Sequence, residues 1–202
     1  MYNVNEIIFI DFEGFKNKDP NLAGLKKNGD FKQVAFDQIF SNAKLPTNSR
    51  LKYIPLENFI EDIYKSKKII AHFTSHEVSI FSKYLRDVDL DRFLDIHKLF
   101  KKSLKKDKDQ YMLYKKMPEW NKKEKYSNPR WALKTMLKFT NFSIKEPYGK
   151  GLVTKWMKSV SNGVNSEGDL AKMQKLNLTN LLKHNTTDVE GIAHLFSYLS
   201  RK

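Results

Sequence analysis

A chain of 202 residues is long enough for one full hydrophobic core, and one domain over 1–202 is the expectation for that length. Aromatic residues at 13% exclude a disordered chain, the lack of cysteine excludes disulfides and thiolate metal sites, and no apolar run approaches the roughly 20 residues of a membrane-spanning helix. The net charge of +14 favours polyanionic partners, nucleic acid foremost, although a lysine-rich composition also serves plain solubility.

The chain enters its first element almost at once, without the charged-then-apolar layout of a signal peptide, so an intracellular, cytoplasmic protein is expected. That element is Ile7-Ile8-Phe9-Ile10-Asp11-Phe12-Glu13-Gly14. A β-branched and aromatic run this short, with no polar face, reads as a strand buried on both sides. Alternate side chains of a strand share a face, so Asp11 and Glu13 point the same way, about 6–7 Å apart. Two carboxylates there are costly without a cation between them, unless the strand simply ends at Asp11 in water.

Residues 16–30, with Pro20, Gly24 and Gly29, read as a loop beside these acids. Phe31–Phe40 follows as a strand or a short helix, with the strand favoured, and residues 45–50 as a turn. A short strand over 51–54 leads to Pro55, which opens a helix carrying Leu56, Phe59, Ile60 and Ile63 on one face. Residues 68–73 form a second buried strand, Ser75 caps a helix over 76–86, and Phe93–Ile96 adds a short strand. This alternation points to an α/β sheet.

Between about 101 and 125 the chain becomes a basic helical and loop segment. Lys101, Lys102, Lys105, Lys106, Lys115 and Lys116 alternate there with Tyr111, Tyr114 and Trp120. Cations that track phosphates and rings that stack on bases suit single-stranded nucleic acid; the other reading is a solvated helix with its aromatics packed inward. An amphipathic helix over 130–142 follows, then a Gly/Pro-rich loop. Its Tyr148-Gly149-Lys150-Gly151 makes Lys150 a further candidate phosphate contact. A short helix over 153–160 and two helices over 169–199 complete the chain.

Further acids lie at element ends. Glu77 opens the helix after the second buried strand, within His72-Phe73-Thr74-Ser75-His76-Glu77. In the last segment His184 and Asp188 stand four apart, on one helical face. Asp95, ending its own apolar run, is the rival to Glu77.

Taken together these motifs resemble the DEDD-type 3′–5′ exonucleases of the RNase H-like superfamily. The first motif of that family, Asp-x-Glu at a strand end, is matched by Asp11 and Glu13. The second is matched by His72-Phe73-x-x-His76-Glu77, with Glu77 where Asp is usual, as in a bacterial nuclease-like branch. The third is matched by His184 and Asp188-Val189-Glu190, with His184 at the spacing of the family's tyrosine. The His-type spacing itself falls on Lys183. The motifs keep family order over residues 7–199.

The resemblance implies an RNase H-like α/β fold, a mixed central sheet flanked by helices, and two-metal phosphodiester hydrolysis with Mg²⁺ or Mn²⁺. Asp11, Glu13 and Asp188 would hold one ion; Asp11 and Glu77 would hold the other; His184 would orient or deprotonate the attacking water. The implied substrate is a 3′ end or single strand of DNA or RNA. Four such carboxylates repel one another, so without metal at least one is expected to have a raised pKa. The competing reading is a nucleic-acid-binding protein that keeps the fold without the activity.

Overall fold

The computed structural model describes residues 3–15, 18–45, 50–120, 129–144, 148, 151–164 and 167–201. Strand β1 (Ile7–Gly14) is its centre, with Ile7, Ile8 and Ile10 wholly buried. On one side it pairs antiparallel with β2 (Pro20–Lys27), which pairs antiparallel with β3 (Asp30–Ala35). The two-residue strand β4 (Lys52–Tyr53) lies parallel to β3 at the edge. On its other side β1 pairs parallel with β5 (Ile69–His72), and β5 with β6 (Phe93–Asp95). The sheet order among the described residues is β4-β3-β2-β1-β5-β6. This is the expected α/β architecture, a mixed central sheet flanked by helices, consistent with an RNase H-like fold.

Strand β2 corrects the loop expected over 16–30. Leu22 and Ala23 are fully buried, and Pro20 stands at the strand's first position, where a missing N–H is tolerated. Asn28 and Gly29, with φ of 54° and 88°, form the two-residue turn that returns the chain into β3.

Alternation along β1 sorts its side chains onto two faces. Ile10 and Phe12 pack with Phe59 and Ile60 of α2 (Leu56–Lys65) and with Ile80 and Phe81 of α3 (Ser75–Tyr84). Ile7 and Phe9 pack with Ile96, Phe100 and Leu104 of α4 (Ile96–Lys106), and with Met136 and Leu137 of α6 (Leu133–Phe139). They also meet Val189, Ile192 and Phe196 of α8 (Lys172–Ser200). A third cluster joins Leu22 and Ala35 to Phe40 of α1 (Gln38–Asn42), Trp156 and Met157 of α7 (Leu152–Ser161), and Leu178 and Leu181 of α8. The remaining helix, α5 (Lys108–Lys115), forms a hairpin with α4.

Helix α8 is one 29-residue helix where two were expected. Its polar run at 185–187 looks like a break, since such side chains compete with the backbone for hydrogen bonds. Here Thr186 and Thr187 return their hydroxyls to the carbonyls of Leu182 and Lys183, and Asn185 points into the sheet. No helix among the described residues is long and apolar enough to cross a membrane.

Candidate active site

Asp11 and Glu13 share the β1 face of Ile7 and Phe9, so both carboxylates meet α8, which crosses that face. From mid-helix α8 presents His184, Asn185 and Asp188. His184 Nε2 lies 3.4 Å from Asp188 Oδ2 and 3.9 Å from Glu13 Oε1. One ligand atom from each of Glu13, His184 and Asp188 falls within 4.8 Å of the others. Glu13 Oε1 and His184 Nδ1 are buried without a hydrogen-bond partner, a costly state that a bound cation or water would relieve.

Glu77, 2% exposed, is the third residue of α3. Thr74 donates its hydroxyl (2.7 Å) and its backbone N–H (3.3 Å) to Glu77 Oε2, closing a capping box. The cap is Thr74, one residue before the expected Ser75. Glu77 is also close enough for its charge to raise the pKa of Asp11, Glu13 and Asp188. The rival, Asp95, caps α4 by accepting from Lys98 N–H at 2.8 Å, and pairs with the Lys98 ammonium at 3.3 Å. His72 is a buried structural histidine whose Nδ1 lies 2.6 Å from the Thr74 carbonyl oxygen.

Burial is the largest influence on every acid of the cluster. It pushes Asp188 and Glu77 up to about 7, and holds Asp11 and Glu13 well above the carboxylate range. The neighbouring carboxylates push Asp11, Glu13 and Asp188 further in the same direction, while a hydrogen bond from Asn185 partly relieves Asp11. Among the described residues, none of the four acids is ion-paired to Lys or Arg. Burial, then the charge of Lys134, pulls His184 down to about 4, so its imidazole is neutral at pH 7.

Three residues at this site were not singled out as ligands or supports by the sequence. Tyr148, 8% exposed, donates its hydroxyl to Asp188 Oδ1 and sets its ring 4.5 Å from that of His184. Lys134 of α6 holds the Tyr148 carbonyl at 2.9 Å. Asn185, wholly buried, donates to Asp11 Oδ2 at 2.9 Å. The only sequence signal at Tyr148 was its Gly-Lys-Gly neighbourhood, and Lys150 lies outside the described residues.

The basic segment needs a correction. Tyr114 is 1% exposed, stacked on Trp131 at 5.3 Å, and donates its hydroxyl to the Arg130 carbonyl, so its ring is closed to a base. Tyr111 and Trp120 pack edge-on against each other at 5.9 Å beside the same core. Cations also sit over these rings: Lys115 over Tyr111 at 4.5 Å, Arg130 over Trp120 at 5.0 Å and Lys101 over Trp131 at 5.0 Å. Tyr114 is spent inside the protein, whereas Tyr111, Trp120 and Trp131 are half-buried with a cation over each ring. Lys102, Lys105, Lys106 and Lys116 remain exposed.

A scan of protein-family models, a search of curated proteins and a search of solved structures each found no match to this chain.

Proposed function

We propose that the chain is a metal-dependent nuclease that removes nucleotides from the 3′ end of nucleic acid. The observation that carries this reading is that ligand atoms of Glu13, His184 and Asp188 lie within 4.8 Å of one another, with Asp11 and Glu77 near enough for charge to act between them and these acids, and that none of the four buried acids has a Lys or Arg ion pair among the described residues. The carboxylate oxygens of these acids suit the hard cations Mg²⁺ and Mn²⁺, with His184 beside them as a base rather than a ligand. Asp11, Glu13 and Asp188 would hold one ion, and Asp11 with Glu77 a second. Such a pair supplies charge neutralisation and Lewis-acid polarisation at a phosphodiester.

The chain's own part is orientation and proton handling. β1 and α8 fix the acids on rigid elements, so little reorganisation is needed when substrate arrives. His184 Nε2 is the ring nitrogen that faces the acids, and in neutral form it accepts a proton from water attacking phosphorus. The new bond is water oxygen to phosphorus; the bond to the 3′ oxygen breaks, and that oxygen leaves as a hydroxyl after taking up a proton. The products are a nucleoside 5′-monophosphate and a shortened strand. The exposed lysines of α4 and the turn after α5 give the substrate backbone a cationic track, and the reading places the protein in the cytoplasm with its substrate.

A second reading, a nucleic-acid-binding protein without cleavage, is favoured by one observation: at about 4, the pKa of His184 makes it a weak base at neutral pH. Digestion of 3′-labelled single- and double-stranded DNA and RNA with Mn²⁺, wild type beside Asp11→Ala, separates the two. Mononucleotide release by wild type alone supports the nuclease. Binding without cleavage by both selects the second reading, and equal cleavage by both removes Asp11 from the site.

A further inference from the structure

Across the sheet, Asp11 of β1 is in register with Gly24 of β2, and Gly24 with Gln33 of β3. Residues in register share a face, so Asp11 and Gln33 stand on either side of Gly24, about 10 Å apart at the usual strand spacing. Glycine leaves the middle of this row empty, and Asn185 of α8 fills it. Its Nδ2 donates to Asp11 Oδ2 at 2.9 Å and to the Asp11 carbonyl at 3.2 Å. Its Oδ1 accepts from Gln33 Nε2 at 3.1 Å, and Gln33 Nε2 also donates to the Leu182 carbonyl at 2.9 Å.

The direction of the chain is settled by its ends. Gln33 donates to a backbone carbonyl, which only accepts, and to Asn185 Oδ1. The amide of Asn185 therefore turns its N–H groups toward Asp11. Flipping it would set two acceptors against each other in a dry interior. A Cβ at position 24 would lie 2.2 Å from Asn185 Oδ1 and 3.0 Å from Val189 Cγ2, so the slot admits glycine and the asparagine together and nothing larger.

We infer that Asn185 is a positioning residue: anchored by Gln33 and seated over Gly24, it locks the Asp11 carboxylate so that Oδ2 is spent in the clamp and Oδ1 serves the site. The clamp itself is geometry within the chain; its consequence for metal rests on the nuclease reading above. Outer-shell partners of this kind govern metal affinity by about 10–100-fold.

The test is Mn²⁺ binding to chelator-treated full chain, by calorimetry and by the rise in melting temperature, together with a crystal structure of Asn185→Ala. Asn185→Ala should bind Mn²⁺ about 10–100-fold more weakly, with the Asp11 side chain turned from its present rotamer. Gln33→Met, which removes only the anchor, should lose affinity in the same direction by less. Gly24→Ala should lose it as well, because its Cβ would meet Asn185 Oδ1 at 2.2 Å and push the amide from its slot. Gly24→Ala/Asn185→Ala should melt higher than Gly24→Ala alone yet stay weak in Mn²⁺, a split that a purely structural asparagine does not produce. The inference is overturned if Asn185→Ala binds Mn²⁺ within about twofold of wild type while Asp11→Ala has lost it. If wild type itself binds no Mn²⁺, the metal reading has failed, and the clamp is then judged by the crystal structure: an unmoved Asp11 overturns it.

Discussion

Tyr148 donates its hydroxyl to Asp188 Oδ1 from a position forty residues upstream of it, and in doing so lays its ring against His184. The hydroxyl stays protonated because burial, then the charge of Asp188, drives its pKa far above the tyrosine range. A hydrogen bond to a charged group contributes about 1.5–3 kcal/mol, and it favours the ionised acid. Tyr148→Phe keeps the ring and removes this donor. In chelator the variant should therefore lose stability at pH 8, where Asp188 is ionised, by about 4–8 °C in melting temperature. At pH 5, below the value of about 7 for Asp188, the loss should be much smaller. Equal losses at the two pH values would mean that the hydroxyl does not serve the carboxylate.

Without metal, the stability of wild type should fall as pH rises. The carboxyls of Asp188 and Glu77 titrate in the folded chain at about 7, against 3.8 and 4.5 for free groups. Between those limits the folded state holds protons that the unfolded state has released, so their contribution is complete below about pH 4 and lost through pH 7. Asp11 and Glu13 act in the same direction. His184, held down to about 4, acts oppositely: its contribution is complete above pH 6.5 and lost as pH falls through about 4. Four acids outweigh one imidazole. Thermal melts in EDTA should drop by about 5–10 °C between pH 5 and 8, and Mn²⁺ should abolish that slope by binding the ionised acids. A rising curve in EDTA contradicts the burial of the cluster.

Glu77 caps α3 and, in the proposed function, also serves as a site acid; one substitution separates the two roles. Gln at this position still offers Thr74 an acceptor, so the capping box survives. It also removes a buried charge that disfavours ionisation of Asp11, Glu13 and Asp188. Glu77→Gln should therefore melt a few degrees higher than wild type in EDTA at pH 8, while cleavage with Mn²⁺ falls at least about tenfold. Unchanged cleavage would remove Glu77 from the site and leave it as a cap alone.

How much of this was written in the sequence depends on the range of the interaction. β1, with Asp11 and Glu13 on one face, follows from a local run of apolar residues, as α2 does from its apolar face, while the opening of α3 falls one residue before the cap read from the sequence. β2 was hidden because its Pro20 and Gly24 are loop residues on average; Gly24 is there to admit Asn185, 161 positions away in the chain. The turn at Asn28-Gly29 was a local signal for the hairpin that the charged surroundings obscured. His184 and Asp188 were visible through helical spacing, whereas the unbroken course of α8 depends on where Asn185, Thr186 and Thr187 send their hydrogen bonds. Tyr148 carries no local pattern that points at Asp188. The aromatics at 111–120 showed their composition in sequence but not their facing, and the core claimed them.

On the nuclease reading, that last point bears on how nucleic acid would be held. With Tyr114 buried and cations resting over Tyr111, Trp120 and Trp131, these four rings are poorly placed for base stacking, and on that reading binding would rest on the exposed lysines of the α4–α5 segment. Affinity measured with Asp11→Ala, which separates binding from cleavage, should fall steeply with salt, the slope of log K against log salt being about −0.7 to −0.9 for each phosphate neutralised. Lys102→Glu with Lys105→Glu should weaken binding at 50 mM salt by at least about tenfold and flatten the slope by about 2. Tryptophan fluorescence should change little on binding, because no base reaches Trp120 or Trp131 face-on. Strong quenching together with a shallow salt slope would restore stacking as the mode of binding and require the α4–α5 aromatics to open when the strand arrives.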